Sequence, residues 1–260
     1  MLKEMKLMNR IAIWMAAAAM VLTGFSAIAQ RDVLDAEAIL DRVNSVWQGD
    51  SFHAVISLDI VLGGQTKSHR LEVWTLGEEL ALIRVLEPEI DLDSGYLQLG
   101  EELWYYAPTV GSIKLPAMAI GDALFGAGPS LEDLSHGTLS DDYDASVETT
   151  EPDSEGLSGF FLTLIPHLDA PVVHGKLEIW VSADYVIQRL IYYDQRGDVL
   201  QTATFSDVVE VGDRRFATTI VIEDAYGDRT IERIEDPQFD LELDATFFSI
   251  ETFESWGEAK

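Results

Sequence analysis

The chain has 260 residues, no cysteine and a formal net charge of -29. Without cysteine there is no disulfide, no thiolate nucleophile, no cysteine-based metal site and no lipobox residue to carry a lipid. So many carboxylates repel nucleic acid and anionic membrane surfaces, and neither is an expected partner.

Residues 1–29 read as a secretory signal peptide. Lys3, Lys6 and Arg10 precede an apolar run from Ile11 to Val21, and Ser26, Ala27, Ile28 and Ala29 supply a small-x-small cleavage pattern. The mature chain is expected to begin near Gln30, to form one domain over residues 30–260 and to move freely outside the inner membrane. Next, Ala36, Ile39, Leu40, Val43, Val46 and Trp47 recur at helical spacing. Asp35 is placed to cap this helix and Gly49 to end it.

From Phe52 the period changes to two. Ala54, Ile56, Leu58, Ile60 and Leu62 alternate with mostly polar neighbours, so one face of a half-buried strand holds them all. Strands follow at 68–76, 80–86, 96–99, 103–106 and 112–115, which makes six in meander order. Trp74 shares its face with Arg70 and Glu72, which argues against the concave side. Residues 116–128 are apolar but broken by Gly121, Gly126 and Gly128, too short and interrupted to span a membrane. Met118, Ile120, Leu124 and Phe125 suit either a cover over an apolar cavity or a core-packing connection.

One or two helical turns are expected at 129–134, then an acidic stretch with a strand at 143–150. Further strands are expected at 159–165, 175–181, 186–193, 199–207, 216–223 and 229–235, with apolar anchors for a final contact at 244–248. In the strand at 175–181, Leu177, Ile179 and Val181 alternate as the inward set. Short loops between neighbours make the sheet antiparallel, and a sheet this wide must curl or close. The class is therefore α+β, mainly antiparallel β, with an apolar concave face and a more polar convex one. Such a face lines either an apolar pocket or a packed core.

Signals for catalysis are weak. His53, His69, His136, His167 and His174 are scattered without metal-ligand spacing. Asp91, Asp93, Ser94 and Gly95 read as a turn rather than a calcium loop. Asp141, Asp142 and Asp144 form a solvated charge run. No phosphate-loop lysine follows Gly126, no G-x-S-x-G elbow exists, and nothing singles out two carboxylates among the 46 acids. Neither an enzyme nor a cofactor is expected.

Three stretches carry a family resemblance. The first is Trp47, Gln48, Gly49, Asp50 and Ser51, with residues 71–77 and 82–88 following. In the second, Trp104-x-Tyr106-x-Pro108 is followed by Ile113, Lys114, Leu115 and Pro116, and then by Leu131, Glu132, Asp133 and Leu134. The third runs from Leu177-Glu178-Ile179-Trp180-Val181 to Tyr193-Asp194-Gln195-Arg196-Gly197. Together they resemble the LolA-like family, the outer membrane lipoprotein-sorting proteins of the periplasm. The chain departs from the family at Gly126-Ala127-Gly128-Pro129-Ser130, where a G-S-D/H-F type run is usual, and at Gly111-Ser112, where more basic residues are usual.

The resemblance implies a curled, incomplete β-barrel capped by an N-terminal helix and a helical flap. It implies a periplasmic carrier that shields lipoprotein acyl chains or another lipid, between an inner-membrane exporter and an outer-membrane acceptor. The expected acyl cavity and flap comprise Ile56, Leu58, Ile60, Trp104, Tyr106, Met118, Ile120, Leu124, Phe125, Leu177, Ile179 and Val181. The alternative is a non-catalytic accessory of an envelope complex, for example beside an RND-type exporter of hydrophobic molecules.

Overall fold

The computed structural model describes residues 35–47, 49–116, 119, 124–125, 142–150, 156–168, 170, 172 and 174–258. The expected signal peptide, the helical turns at 129–134 and the glycines Gly121, Gly126 and Gly128 lie outside the described residues.

Helix α1 spans Ala36–Trp47 and buries Ile39, Leu40 and Val43 on one stripe. The backbone N–H of Ala38 donates to Asp35 Oδ1 at 3.3 Å, which satisfies one donor of the first turn. Gly49 follows with a φ of 62°, a left-handed conformation that suits glycine and turns the chain into the sheet.

The first six strands are β1 (Ser51–Leu62), β2 (Gln65–Leu76), β3 (Leu80–Glu87), β4 (Gly95–Leu99), β5 (Glu102–Ala107) and β6 (Gly111–Leu115). After the flap come β7 (Tyr143–Thr150), β8 (Gly159–Pro166), β9 (Lys176–Val181), β10 (Ile187–Tyr193), β11 (Val199–Val211), β12 (Arg214–Asp224) and β13 (Arg229–Phe239). They form one antiparallel sheet in the order β6-β5-β4-β3-β2-β1-β13-β12-β11-β10-β9-β8-β7. Paired strands are chain neighbours except at one place, where β1 pairs with β13, from Phe52 opposite Phe239 to Val61 opposite Arg229. The sheet is therefore curled but unclosed, with β6 and β7 as its two edges.

Alternation on β1 is as read from the sequence for Ala54, Ile56, Leu58 and Ile60, which are buried, while Val55, Ser57, Asp59 and Val61 are partly exposed. Leu62, expected in the same inward set, is a correction, since it is exposed at the strand's end. The expected polar convex face is corrected by the structure on β2–β5. There Leu82, Leu97 and Tyr106 form a second core with Phe248 and Phe253, flanked by Trp74, Trp104, Phe247 and Trp256. Its lid is the chain's end, which holds more than anchors: a 3-10 turn at Ala245–Phe247 and a helix, α2, at Ile250–Glu258. Ser249 Oγ accepts from the Thr252 N–H at 3.2 Å and caps α2. Gly95 makes room for the helix, because a Cβ there would come within 1.9 Å of the Ile83 carbonyl oxygen and 3.1 Å of the Phe253 ring.

Beside this lid the convex face carries a polar ladder. Arg84 forks onto Asp93 at 2.7 and 3.0 Å, and its guanidinium lies 4.9 Å from the Trp256 ring centroid. Arg70 and Ser57 both donate to Glu235, at 2.6 and 2.7 Å. Ser68 and Arg233 both donate to Asp59, at 2.7 and 2.8 Å. These hydrogen bonds stabilise the carboxylates and hold Asp59 and Glu235 below their ordinary values of 3.8 and 4.5.

Two predictions follow from these contacts. Phe253 is fully buried, so Phe253→Ala should cost about 3–5 kcal/mol in urea unfolding, with Gly95→Ala also destabilising. Unchanged midpoints would mean that α2 is not held on the sheet. A carboxyl with a depressed folded value adds stability above its unfolded value and loses it as pH falls through the folded one. Thermal unfolding should therefore find wild type more stable than Asp59→Asn/Glu235→Gln above about pH 5, with the gap narrowing as the pH falls below the ordinary values of 3.8 and 4.5. A gap unchanged at the lower pH would remove these two groups from the acid limb.

Candidate functional site

The concave face is apolar along most of its strands. β1 runs along its middle: Ile56 lies opposite Leu71 and Ile234, Leu58 opposite His69 and Glu232, and Ile60 opposite Lys67 and Thr230. Val73, Ile83 and Val85 extend the surface toward one edge, and Leu190, Leu177, Ile179, Val181, Leu162 and Leu164 toward the other. Strand alternation explains the assembly, since each strand contributes every second side chain to this side. Where β1 begins, the surface is closed by rings of Trp47, Phe52, Phe205, Phe216 and Phe239 with centroids 4.8–6.2 Å apart.

Among the described residues two segments cover the face. α1 presses Ile39, Leu40 and Val43 onto it from the side of β7 and β12. Arg214 holds this helix by donating to the Ser45 carbonyl, with its other end on Asp240 at 2.7 Å. From the opposite side Ala119, Leu124 and Phe125 pack against the same core. Tyr96 donates its hydroxyl to the Leu124 carbonyl at 2.8 Å and ties this turn to β4. Burial, with smaller contributions from Tyr105 and Asp91, pushes the Tyr96 phenol up to about 12, so it remains a donor throughout the neutral range.

Of the residues expected at the site, Ile56, Leu58, Ile60, Leu177, Ile179 and Val181 are buried on strand faces that form this surface. Leu124 and Phe125 lie over it. Met118 and Ile120 lie outside the described residues. Trp104 and Tyr106 are a correction: they face the other way, under α2, where the Tyr106 ring is 5.1 Å from that of Phe253. Their strand presents Leu103 to the concave side instead. The run Leu103-Trp104-Tyr105-Tyr106 has no polar alternate to mark its outer face, so its orientation was not readable locally.

The sequence reading missed polar residues on this face, three of them toward the end where β1 finishes. Glu232 is 6% exposed beside Leu58, and Thr230 is buried beside Ile60. Their signal is the alternation Thr230, Glu232, Ile234, in which two polar residues take inward places. The third is His69, whose ring stacks on Phe125 with centroids 4.0 Å apart and planes at 19°. His69 Nδ1 is buried with no hydrogen-bond partner among the described residues. Burial lowers the His69 pKa; Asp91 opposes that shift and Lys67 adds to it. A recess of about 500 Å3 opens here, lined by Lys67, Ser68, His69, Pro88, Asp91 and Phe125. Among the described residues no group of three or more His, Asp or Glu is arranged to hold a metal ion.

The stack makes a prediction. Phe125→Ala should expose the imidazole and raise the His69 pKa toward its ordinary value of 6.5, read from histidine ring resonances by NMR. An unmoved titration would mean that Phe125 does not cover His69 in solution.

A family model described as an uncharacterized protein matches residues 77–255, more than half of the chain. No curated protein sequence matches. Among solved structures, a domain provisionally named an outer membrane lipoprotein-sorting protein domain, from Vibrio parahaemolyticus, superposes with a TM-score of 0.72 at 19% identity, covering 84% of this chain and 98% of its own. A DUF1329 family protein from Desulfovibrio piger gives 0.73 at 18% identity, with 84% and 97% covered. A LolA superfamily protein from Nitrosomonas europaea gives 0.68 at 20%, with 83% and 98% covered. The chain therefore belongs to the family of uncharacterized proteins matched over residues 77–255, and its fold is LolA-like.

Proposed function

We propose that the protein is a non-catalytic periplasmic carrier that shields the acyl chains of a lipoprotein, or another lipid, against its concave face. The observation that carries this reading is the apolar surface through Ile56, Leu58, Leu71, Ile179 and Val181, covered on one side by the Leu124–Phe125 turn. A surface lined this way needs no reactive group, only exclusion of water. Each methylene moved onto it from water gains roughly 0.8 kcal/mol, so a dozen are worth on the order of 10 kcal/mol before the chain is immobilised. Opening the turn gives up the burial of Leu124 and Phe125, roughly 1.5–3 kcal/mol per side chain. Acyl burial exceeds that, so cargo competes for the surface that the turn occupies.

The name of the similar Vibrio domain supports a place in lipoprotein sorting. The signal-peptide pattern of residues 1–29 supports export. An inner-membrane exporter as donor and an outer-membrane protein as acceptor are what the family resemblance implies. Among the described residues no helix is long and apolar enough to cross a membrane.

Leu124→Asp and Phe125→Asp are expected to weaken binding of a fluorescent acyl probe by tenfold or more, about 1.4 kcal/mol, while far-UV circular dichroism retains the sheet. Unchanged affinity in folded variants would remove the turn from the binding surface. Lipid extraction of protein purified from an envelope fraction supplies the independent check. Consistent absence of acyl species there would favour the filled-core accessory protein.

A further inference from the structure

On β2 the concave row changes character from one side chain to the next. Val73 and Leu71 are apolar and fully buried, His69 is half-buried, and Lys67 is exposed. Side chains on one face of a strand are spaced by roughly 7 Å, so the change from grease to charge spans about the length of one small headgroup. Phe125 marks the boundary, since it packs on the apolar core and stacks on His69. Beyond it Lys67 and Asp91, of opposite charge, line the same recess without an ion pair between them.

We infer that this recess receives the head of a zwitterionic amphiphile: its phosphate or carboxylate on Lys67, its ammonium on Asp91, and a hydrogen bond to the unpartnered Nδ1 of His69. The tail passes under Phe125 along Leu58 and Leu71. This rests on the carrier reading and narrows its cargo by headgroup. An uncharged head would desolvate Lys67 and Asp91 without giving either a counter-charge. A purely anionic head would satisfy Lys67 but meet the Asp91 carboxylate, on a chain whose formal net charge is -29.

The test is displacement of a fluorescent acyl probe from the full chain by three single-chain lipids of equal length, each below its micelle concentration. They are lysophosphatidylethanolamine, lysophosphatidylglycerol and a monoacylglycerol. The zwitterion should displace at about tenfold lower concentration than the other two. Lys67→Met and Asp91→Asn should each bring it to the level of the monoacylglycerol, whose own displacement should not weaken, since either substitution removes a charge that an uncharged head must desolvate. Exchanging the pair, Lys67→Asp with Asp91→Lys, should retain the preference, which a general loss of stability would not. Equal displacement by all three lipids, or a preference that survives both single substitutions, overturns the head site and leaves the carrier standing. Preference for the anionic lipid, lost with Lys67→Met but not with Asp91→Asn, also overturns it. Failure of every lipid and of the probe to bind overturns the carrier reading and this inference together.

Discussion

The pairing of β1 with β13 is the constraint on which the rest depends. All other strand contacts are between chain neighbours and follow from short connections. The β1–β13 ladder alone joins the six-strand meander before the flap to the seven-strand meander after it. It places β1 at the middle of the concave face, with Leu71 on one side of Ile56 and Ile234 on the other. It also sends β6 and β7, neighbours in the chain, to opposite edges of the sheet. Of the residues between them in the chain, Ala119, Leu124 and Phe125 pack on the core.

A sheet of this width has two faces to satisfy, and the chain treats them differently. The concave face is apolar along most strands and is covered by α1 and the Leu124–Phe125 turn. The convex face is mixed. Ser57, Asp59, Arg70, Arg233 and Glu235 satisfy one another there in hydrogen-bonded pairs, while Leu82, Leu97 and Tyr106 are dried by α2. The pairs are partly exposed and contribute modestly. The aromatic packing of Phe253, Trp74 and Trp256 contributes more, because large rings leave water there. The convex lid thus anchors the β2–β5 half from outside, while Leu71, Val73, Ile83 and Val85 pack on its inner side.

Polarity within the concave face also has a direction. Aromatic rings close the end where β1 begins, and Lys67, His69 and Asp91 gather at the end where it finishes. Glu232 and Thr230 place two further polar groups beside Leu58 and Ile60, toward the same end. Packing a core needs no such gradient. A surface that must hold the tail of an amphiphile dry while its head stays wet does need one.

Much of this was legible in the chain itself. The 3.6-residue spacing from Ala36 to Trp47 determined α1, and period-two alternation determined which side chains of β1 and β9 turn inward, because a strand has only two faces and polar residues marked the outer one. Glycine-rich turns determined the meander. Where polar markers were missing, local pattern had no purchase. Leu103 to Tyr106 is apolar and aromatic on both sides, so its facing was decided by α2, a helix some 150 residues away in sequence that supplies a second dry environment. That helix was itself obscure, because Ile250, Phe253 and Trp256 form a stripe of little more than two turns, too short to hold without a surface to bury it. The same holds for His69 and Glu232. A sequence displays them as ordinary polar strand residues; the β1–β13 ladder sets Glu232 beside Leu58, the β1–β2 hairpin sets His69 on its other side, and the packed face around them makes the floor apolar.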